Sequence, residues 1–250
     1  MAINVNTVYT TVLSILNKEQ RGYITPEEFN KLGTQVQLEI FENYFEDLNQ
    51  QLRVPQTDSE YANRQKNIDN CISIFKTIGN TTYDVAGGYF LPPSNLHRIG
   101  AVIYRDEKEL QRVERSDFLN INLSPLTRPT TQFPVYLYEQ ATAGTSGGNT
   151  GQPHMFVKPT TINTAADITV SYIRKPADVV WAFQQLGGGT WTSGPYIYNA
   201  GDSTQFELDN TEQTEVIIRI LAYAGVVIRD PQIVQAAAQA VQAEEVNSKS

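Results

Sequence analysis

The chain has 250 residues, with 19 Lys and Arg against 27 Asp and Glu and a net charge of -8; that length holds one large domain or two small ones and is ample for a buried core. The acidic balance argues against a nucleic-acid binder, which shows a basic excess, and no apolar run approaches the roughly 18 residues a membrane span needs. The single cysteine, Cys71, excludes an intrachain disulfide framework and a multi-cysteine metal site. The first twenty residues have no basic segment and no small-residue cleavage motif, so they do not read as a secretory signal; a protein made in a reducing cytoplasm is expected. Hydrophobic residues at 40% and charged residues at 18% leave Gln, Asn and Thr to make up the difference. Such a surface suits subunit contacts, because desolvating an amide costs less than desolvating an ion.

Residues 1–79 read as helical. Val8, Val12, Ile15 and Leu16 recur at helical spacing. Thr25-Pro26-Glu27-Glu28 is a helix start: Thr25 can cap, Pro26 suits the first helical position and Glu28 completes a capping box. The helix that follows carries an apolar stripe from Phe29 to Leu52, ended by Val54-Pro55, and spans roughly 42 Å at 1.5 Å per residue. A third helix is predicted from Thr57-Asp58-Ser59-Glu60, with Ile68, Cys71, Ile72 and Phe75 in register and Gly79-Asn80 as its stop.

Residues 80–207 change character. Gly, Pro and Thr become frequent and the apolar period falls toward two, which predicts antiparallel strands. Strands are expected at Ala101–Tyr104, Val135–Tyr138, His154–Pro159 and Asp167–Arg174, with a further short one at Tyr196–Tyr198. Asp106-Glu107-Lys108 reads as a polar turn, Leu110 and Val113 as a resumed strand pattern, and 141–152 as an exposed loop. Residues 208–250 return to helix: Asp209 and Thr211 cap a segment bearing Val216, Ile217, Ile220 and Leu221, and Asp230-Pro231 restarts an Ala- and Gln-rich helix with a polar tail. No internal repeat is visible.

The expected fold is therefore α+β: a helical bundle from the N- and C-terminal segments, with an inserted antiparallel β-sandwich or barrel-like domain. The long stripe needs more partner surface than two short helices offer, and the final helix is marginal alone. Phe29, Val36, Phe41, Phe45, Ile233, Val234 and Val241 are accordingly the candidate subunit-interface residues.

Candidate chemistry is thin. Gly144-Thr145-Ser146-Gly147-Gly148 matches G-x-S-x-G, but a nucleophile elbow needs a helix after the serine, and Gly-Gly-Asn-Thr-Gly-Gln-Pro cannot start one. His97 and His154 lack any metal-ligand spacing, and the Gly-rich stretches lack the Gly-Lys-Ser/Thr ending of a phosphate loop. Asp106, Glu107 and Glu109 read as a solvated hairpin tip; Arg98, Arg105, Arg112, Arg115 and Arg128 as a sheet face paired with nearby acids. Cys71 reads as a small buried hydrophobe. Tyr136, Tyr138, Tyr172, Trp181, Trp191, Tyr196 and Tyr198 read as sheet core or subunit contact; a glycan platform on a receptor-binding tail protein is the alternative. No catalytic residue, cofactor or metal ligand is assigned, and a non-enzyme is expected.

The order of helices, β insertion and closing helices resembles the head-to-tail connector adaptor (ring) proteins of short-tailed phages, and is most similar to the ring proteins of crAss-like phages. The stretches that carry the resemblance are Ile3-Asn4-Val5-Asn6-Thr7-Val8-Tyr9, Leu16 through Pro26, Gln35 through Glu42, and Ile220 through Pro231 with its Gln- and Ala-rich tail; Phe133-Pro134-Val135-Tyr136 and Val170 through Pro176 match in outline. The resemblance implies a structural virion protein at the portal/tail vertex, made in the host bacterial cytoplasm. It would form a homododecameric ring that binds the portal and other tail or ring proteins, and would continue the channel through which DNA passes as cargo. An acidic wall would let DNA through without sticking.

Overall fold

The computed structural model describes residues 2–18, 23–51, 64–140, 152–185, 196–227, 235, 238–243 and 246. It divides into two compact units, one of Met1–Ile74 with Pro176–Ser250 and one of Phe75–Lys175. The protein is α+β, and among the described residues its sheets are antiparallel in all but one pairing. The insertion thus runs from Phe75 to Lys175, rather than over the expected 80–207.

The first unit opens with strand β1 (Ala2–Ile3) and helix α1 (Val5–Lys18). Asn4 caps α1 by accepting from the Thr7 amide at 3.0 Å. Val5, Val8, Tyr9, Val12 and Leu16 are buried, whereas Ile15, expected on the same face, is exposed. Helix α2 (Pro26–Gln51) starts at the predicted capping box. The Thr25 amide donates to Glu28 Oε2 at 2.9 Å, and the Glu28 amide donates to Thr25 Oγ1 at 3.3 Å. The Thr25 amide, together with the Thr25 hydroxyl that donates to the same oxygen at 2.8 Å, holds the Glu28 carboxyl below its ordinary value of 4.5. Thr25→Ala is expected to lower stability by about 1 kcal/mol, read as a lower urea midpoint. A carboxyl depressed in the folded state contributes fully above its unfolded value and loses that contribution as pH falls through the folded one. The deficit of the variant should therefore shrink in acid; a pH-independent deficit would contradict the box.

Helix α3 (Arg64–Ser73) follows, and Ile72 and Phe75 are buried. The predicted continuation to Gly79-Asn80 is overturned: Lys76–Asn80 form strand β2. Exposure alternates along these five residues, and Thr77 and Ile78 are β-branched, so the period is two. The predicted start at Thr57–Glu60 lies outside the described residues.

The second unit contains β2, β3 (Thr82–Asp84), β4 (Tyr89–Leu91), β5 (Leu96–Tyr104), β6 (Lys108–Glu109), β7 (Gln111–Arg112), helix α4 (Arg115–Ile121), β8 (Val135–Gln140), β9 (Pro153–Lys158) and β10 (Ile168–Arg174). One sheet has the order β2-β10-β5-β6 and the other β3-β4-β9-β8-β7. The chain passes from one to the other at Leu110, whose amide donates to the Val102 carbonyl at 2.8 Å while the next amide, Gln111, donates to Pro134 at 3.1 Å. Both sheets contribute to one core, in which Val102, Leu110, Met155, Ile168 and Val170 are almost wholly buried. The turn after β5 places Arg105 and Asp106 at positive φ, 51° and 56°. That conformation costs an L-residue roughly 1–2 kcal/mol, and the Arg105–Asp167 ion pair at 3.0 Å helps to hold it.

Strand β7 pairs with β8 in parallel. A parallel pair cannot be closed by a hairpin and needs a crossover, which residues 113–134 supply. The resumed strand pattern expected at Leu110 and Val113 falls at β7, which lies between them, and helix α4 follows it in the crossover. Apolar alternation ends at Val113, and α4 buries none of its residues.

From Pro176 the chain is part of the first unit again, through β11 (Phe183–Gln185), β12 (Tyr196–Tyr198), β13 (Phe206–Asp209) and helix α5 (Gln213–Val227). β11 pairs with β12 and β13 with β1, both antiparallel. Residues 177–181 run along α2 as an extended strap. Asn30 accepts from the Trp181 amide at 2.7 Å, Thr34 Oγ1 from the Val179 amide at 3.0 Å, and Gln37 donates to the Ala177 carbonyl at 2.7 Å. Helix positions i, i+4 and i+7 advance about 10 Å and alternate strap residues about 13 Å, so the two rows stay in step. Asp209 caps the turn before α5, accepting from the Thr211 amide at 3.1 Å, and its carboxyl is lowered by that bond. Val216, Ile220 and Ala224 form the buried face of α5. Residues 238–243 are helical, and the predicted restart at Asp230-Pro231 lies outside the described residues.

Candidate functional site

Of the seven residues expected to meet partner subunits, four are core residues of a single chain. Phe29, Val36, Phe41 and Phe45 are between 0% and 5% exposed within one chain. Their stripe is completed internally, by the strap, by α5 and by Phe206, whose ring lies 3.3 Å from where a Cβ on Gly33 would stand. Ile233 and Val234 lie outside the described residues; Val241 is half-buried in 238–243.

Polar groups inside the first unit are structural. Arg219, with a side chain only 6% exposed, pairs with Glu39 at 2.9 Å and Glu215 at 2.6 Å. Tyr223 donates to the second oxygen of Glu39 at 3.1 Å, and burial together with that carboxylate pushes its phenol pKa up. The Cys71 thiol is half-buried and shifted upward by burial and by Glu212 and Asp209, the opposite of an activated thiolate. The Tyr44 hydroxyl is buried and makes no hydrogen bond among the described residues, and burial pushes its pKa up. Because an unmade buried hydrogen bond costs about 1–3 kcal/mol, Tyr44→Phe is expected to raise the unfolding midpoint. A lower midpoint would show that the hydroxyl has a partner.

The chemical candidates are scattered. Ser146 lies outside the described residues. His97 is half-buried on β5 and accepts from Arg98 at 3.3 Å. His154, on β9, is fully buried and stacks on Tyr89 with ring centroids 3.7 Å apart and planes at 11°. Tyr89 in turn donates to Asp84 at 2.9 Å. A Cβ on Gly87 would stand 1.9 Å from the Tyr89 ring, so Gly87→Ala must displace a fully buried side chain. The expected cost is about 2 kcal/mol, read as a lower melting temperature; a wild-type melt would show that the turn can swing clear.

Asp106, Glu107 and Glu109 are exposed at the hairpin, where Asp106 accepts from Thr169 at 3.1 Å. Of the arginines, Arg105 pairs with Asp167, Arg115 with Glu139, and Arg112 lies 5.6 Å from the centre of the Tyr138 ring. The described aromatic residues divide between the two units. Tyr136, Tyr138 and Tyr172 belong to the second unit, Trp181, Tyr196 and Tyr198 to the first; Tyr136, Tyr172 and Trp181 are buried, and Trp191 lies outside the described residues. Among the described residues no group of three or more His, Cys, Asp or Glu is placed to hold a metal ion, and no helix is long and apolar enough to cross a membrane.

Two surface features of the second unit remain. A cleft of about 450 Å³ opens beside Gly100, lined by Ile99, Leu110, Glu109, Gln111, Arg112 and Tyr136. The crossover 113–134 exposes Leu119 by 59%, Leu123 by 82%, Leu126 by 95% and Phe133 by 80%. Apolar periodicity does not reveal this second feature, although one signal is present in the chain: from Phe118 to Tyr138 the sole charged residue is Arg128. No protein-family model matches the chain, and no curated protein matches it.

Proposed function

We propose that the protein is a non-enzymatic virion subunit that closes into a ring joining the capsid portal to the tail and continuing the DNA channel. The observation that carries this reading is the chain order. A helical unit built from both ends of the chain holds a β unit inserted at Phe75–Lys175, the arrangement of the connector adaptors that the sequence resembles. The polar ladder from Asn30, Thr34 and Gln37 supports a rigid frame, and the apolar crossover supplies a surface that a lone subunit has no reason to expose. Co-expression with the portal protein of the same phage tests the reading. A cyclic assembly that co-purifies with the portal is expected; a chain that stays at 28.0 kDa and is absent from purified particles would overturn it.

A further inference from the structure

We propose that the crossover 119–133 is the surface by which one copy of this chain docks on the helical unit of a second copy. The inference rests on the ring reading for the number of copies, and on the following observations for its place. Leu123, Leu126 and Phe133 are each at least 80% exposed, and their backbone is fixed before any partner arrives. Leu123 donates to Asn120 at 3.0 Å, Phe133 to Thr130 at 3.1 Å, and Thr127 Oγ1 to Ile121 at 3.3 Å. The base of the crossover is tied to the sheet by the Arg115–Glu139 pair and by Lys158, 5.9 Å from the centre of the Phe118 ring. A loop ordered in advance loses little entropy on docking.

Charge selects the occupant. The net -8 of the chain is unevenly divided. Phe75–Lys175 carry ten basic and eight acidic side chains, a net +2; the rest of the chain carries nine and nineteen, a net -10. Two helical units repel one another, whereas the β unit of one copy and the helical unit of the next attract. The crossover suits that contact, with several apolar anchors and the single positive charge of Arg128. A contact between two different surfaces is heterologous, and such contacts propagate into closed rings or open chains.

The test is sedimentation velocity of the full chain over a hundredfold range of concentration, comparing wild type with Leu123→Asp/Leu126→Asp/Phe133→Asp. These side chains contribute little to the core, so circular dichroism and melting of the variant should match wild type. The wild type is expected to sediment as species heavier than 28.0 kDa, and the variant to associate at least about tenfold more weakly. Arg128→Glu is expected to weaken association and reduce its salt dependence. A wild type that stays monomeric throughout, or variants that associate like it, would overturn the proposal. So would flotation with anionic lipid vesicles that the variant loses while both proteins stay monomeric. Rings formed equally well by the triple variant would remove this surface and leave the ring reading intact. Open chains that the variant abolishes would keep the surface and remove the closed ring.

Discussion

Gln37→Leu is expected to destabilise the helical unit by about 3 kcal/mol. Gln37 is fully buried on α2. Its amide donates to the Ala177 carbonyl at 2.7 Å, and its carbonyl accepts from the Glu207 amide at 2.8 Å. Leucine fills similar space and removes both bonds; a backbone group left without a partner costs roughly 1–3 kcal/mol, and the lower figure applies at Ala177, an exposed residue whose carbonyl water can reach. Gln37→Glu keeps an acceptor for Glu207 but places a carboxylate against the Ala177 carbonyl, so it should not rescue. Trp181 is buried in the helical unit, so its fluorescence follows the unfolding of that unit. At a slope near 3 kcal/mol per molar urea, the midpoint should fall by about 1 M. A fall corresponding to less than about 1 kcal/mol would show that the strap is held by its apolar contacts and that the ladder is incidental.

Arg219→Leu should cost about 3 kcal/mol. The buried guanidinium lies between Glu39 of α2 and Glu215 of its own helix. Removing it leaves two carboxylates, 35% and 17% exposed, with less water than they need and no cation between them. Glu39 retains the Tyr223 hydroxyl, and its partial exposure screens it, so the loss stays at the lower end of what a broken buried pair costs. Arg219→Lys keeps the charge but loses the planar fork that meets two acids at once, and should fall between the two. Unfolding midpoints by tryptophan fluorescence give the order. A lysine variant as unstable as the leucine variant would mean that geometry, and not charge, ties α5 to α2.

The parts of the fold legible in the sequence are those with a local signal. Thr25 with Glu28 and Asp209 with Thr211 form the predicted caps, because those residues satisfy amides a few positions away. Strands β5, β8, β9 and β10 fall on runs of alternating β-branched and aromatic residues. What the sequence hides is non-local. The strap 177–181 has no periodic pattern of its own; it is held by Asn30, Thr34 and Gln37, polar positions that an apolar-period reading assigns to solvent or to subunit contacts. Without the strap, the expected boundary falls at 207 instead of 175, and Phe29, Val36, Phe41 and Phe45 look like an unfinished interface when they are core. The surface that does lack cover, 119–133, sits in a Pro- and Thr-rich stretch where neither helical nor strand period signals burial. Its information lies in the missing charges between Phe118 and Tyr138, a feature of solvation and not of secondary structure.

These corrections change what an assembly of this chain would look like. The apolar stripe of α2 is covered within one chain, and the exposed apolar run 119–133 belongs to the inserted β unit. With the β unit at net +2 and the helical unit at net -10, the proposed ring is expected to draw an acidic channel wall from the helical unit. Cryo-electron microscopy of purified virions, with symmetry determined at the tail vertex, shows whether the chain forms the proposed ring. A closed cyclic ring of this chain between portal and tail is expected, twelvefold under the proposed connector role. Absence from the particle, or placement as a trimer on a tail fibre, would contradict it.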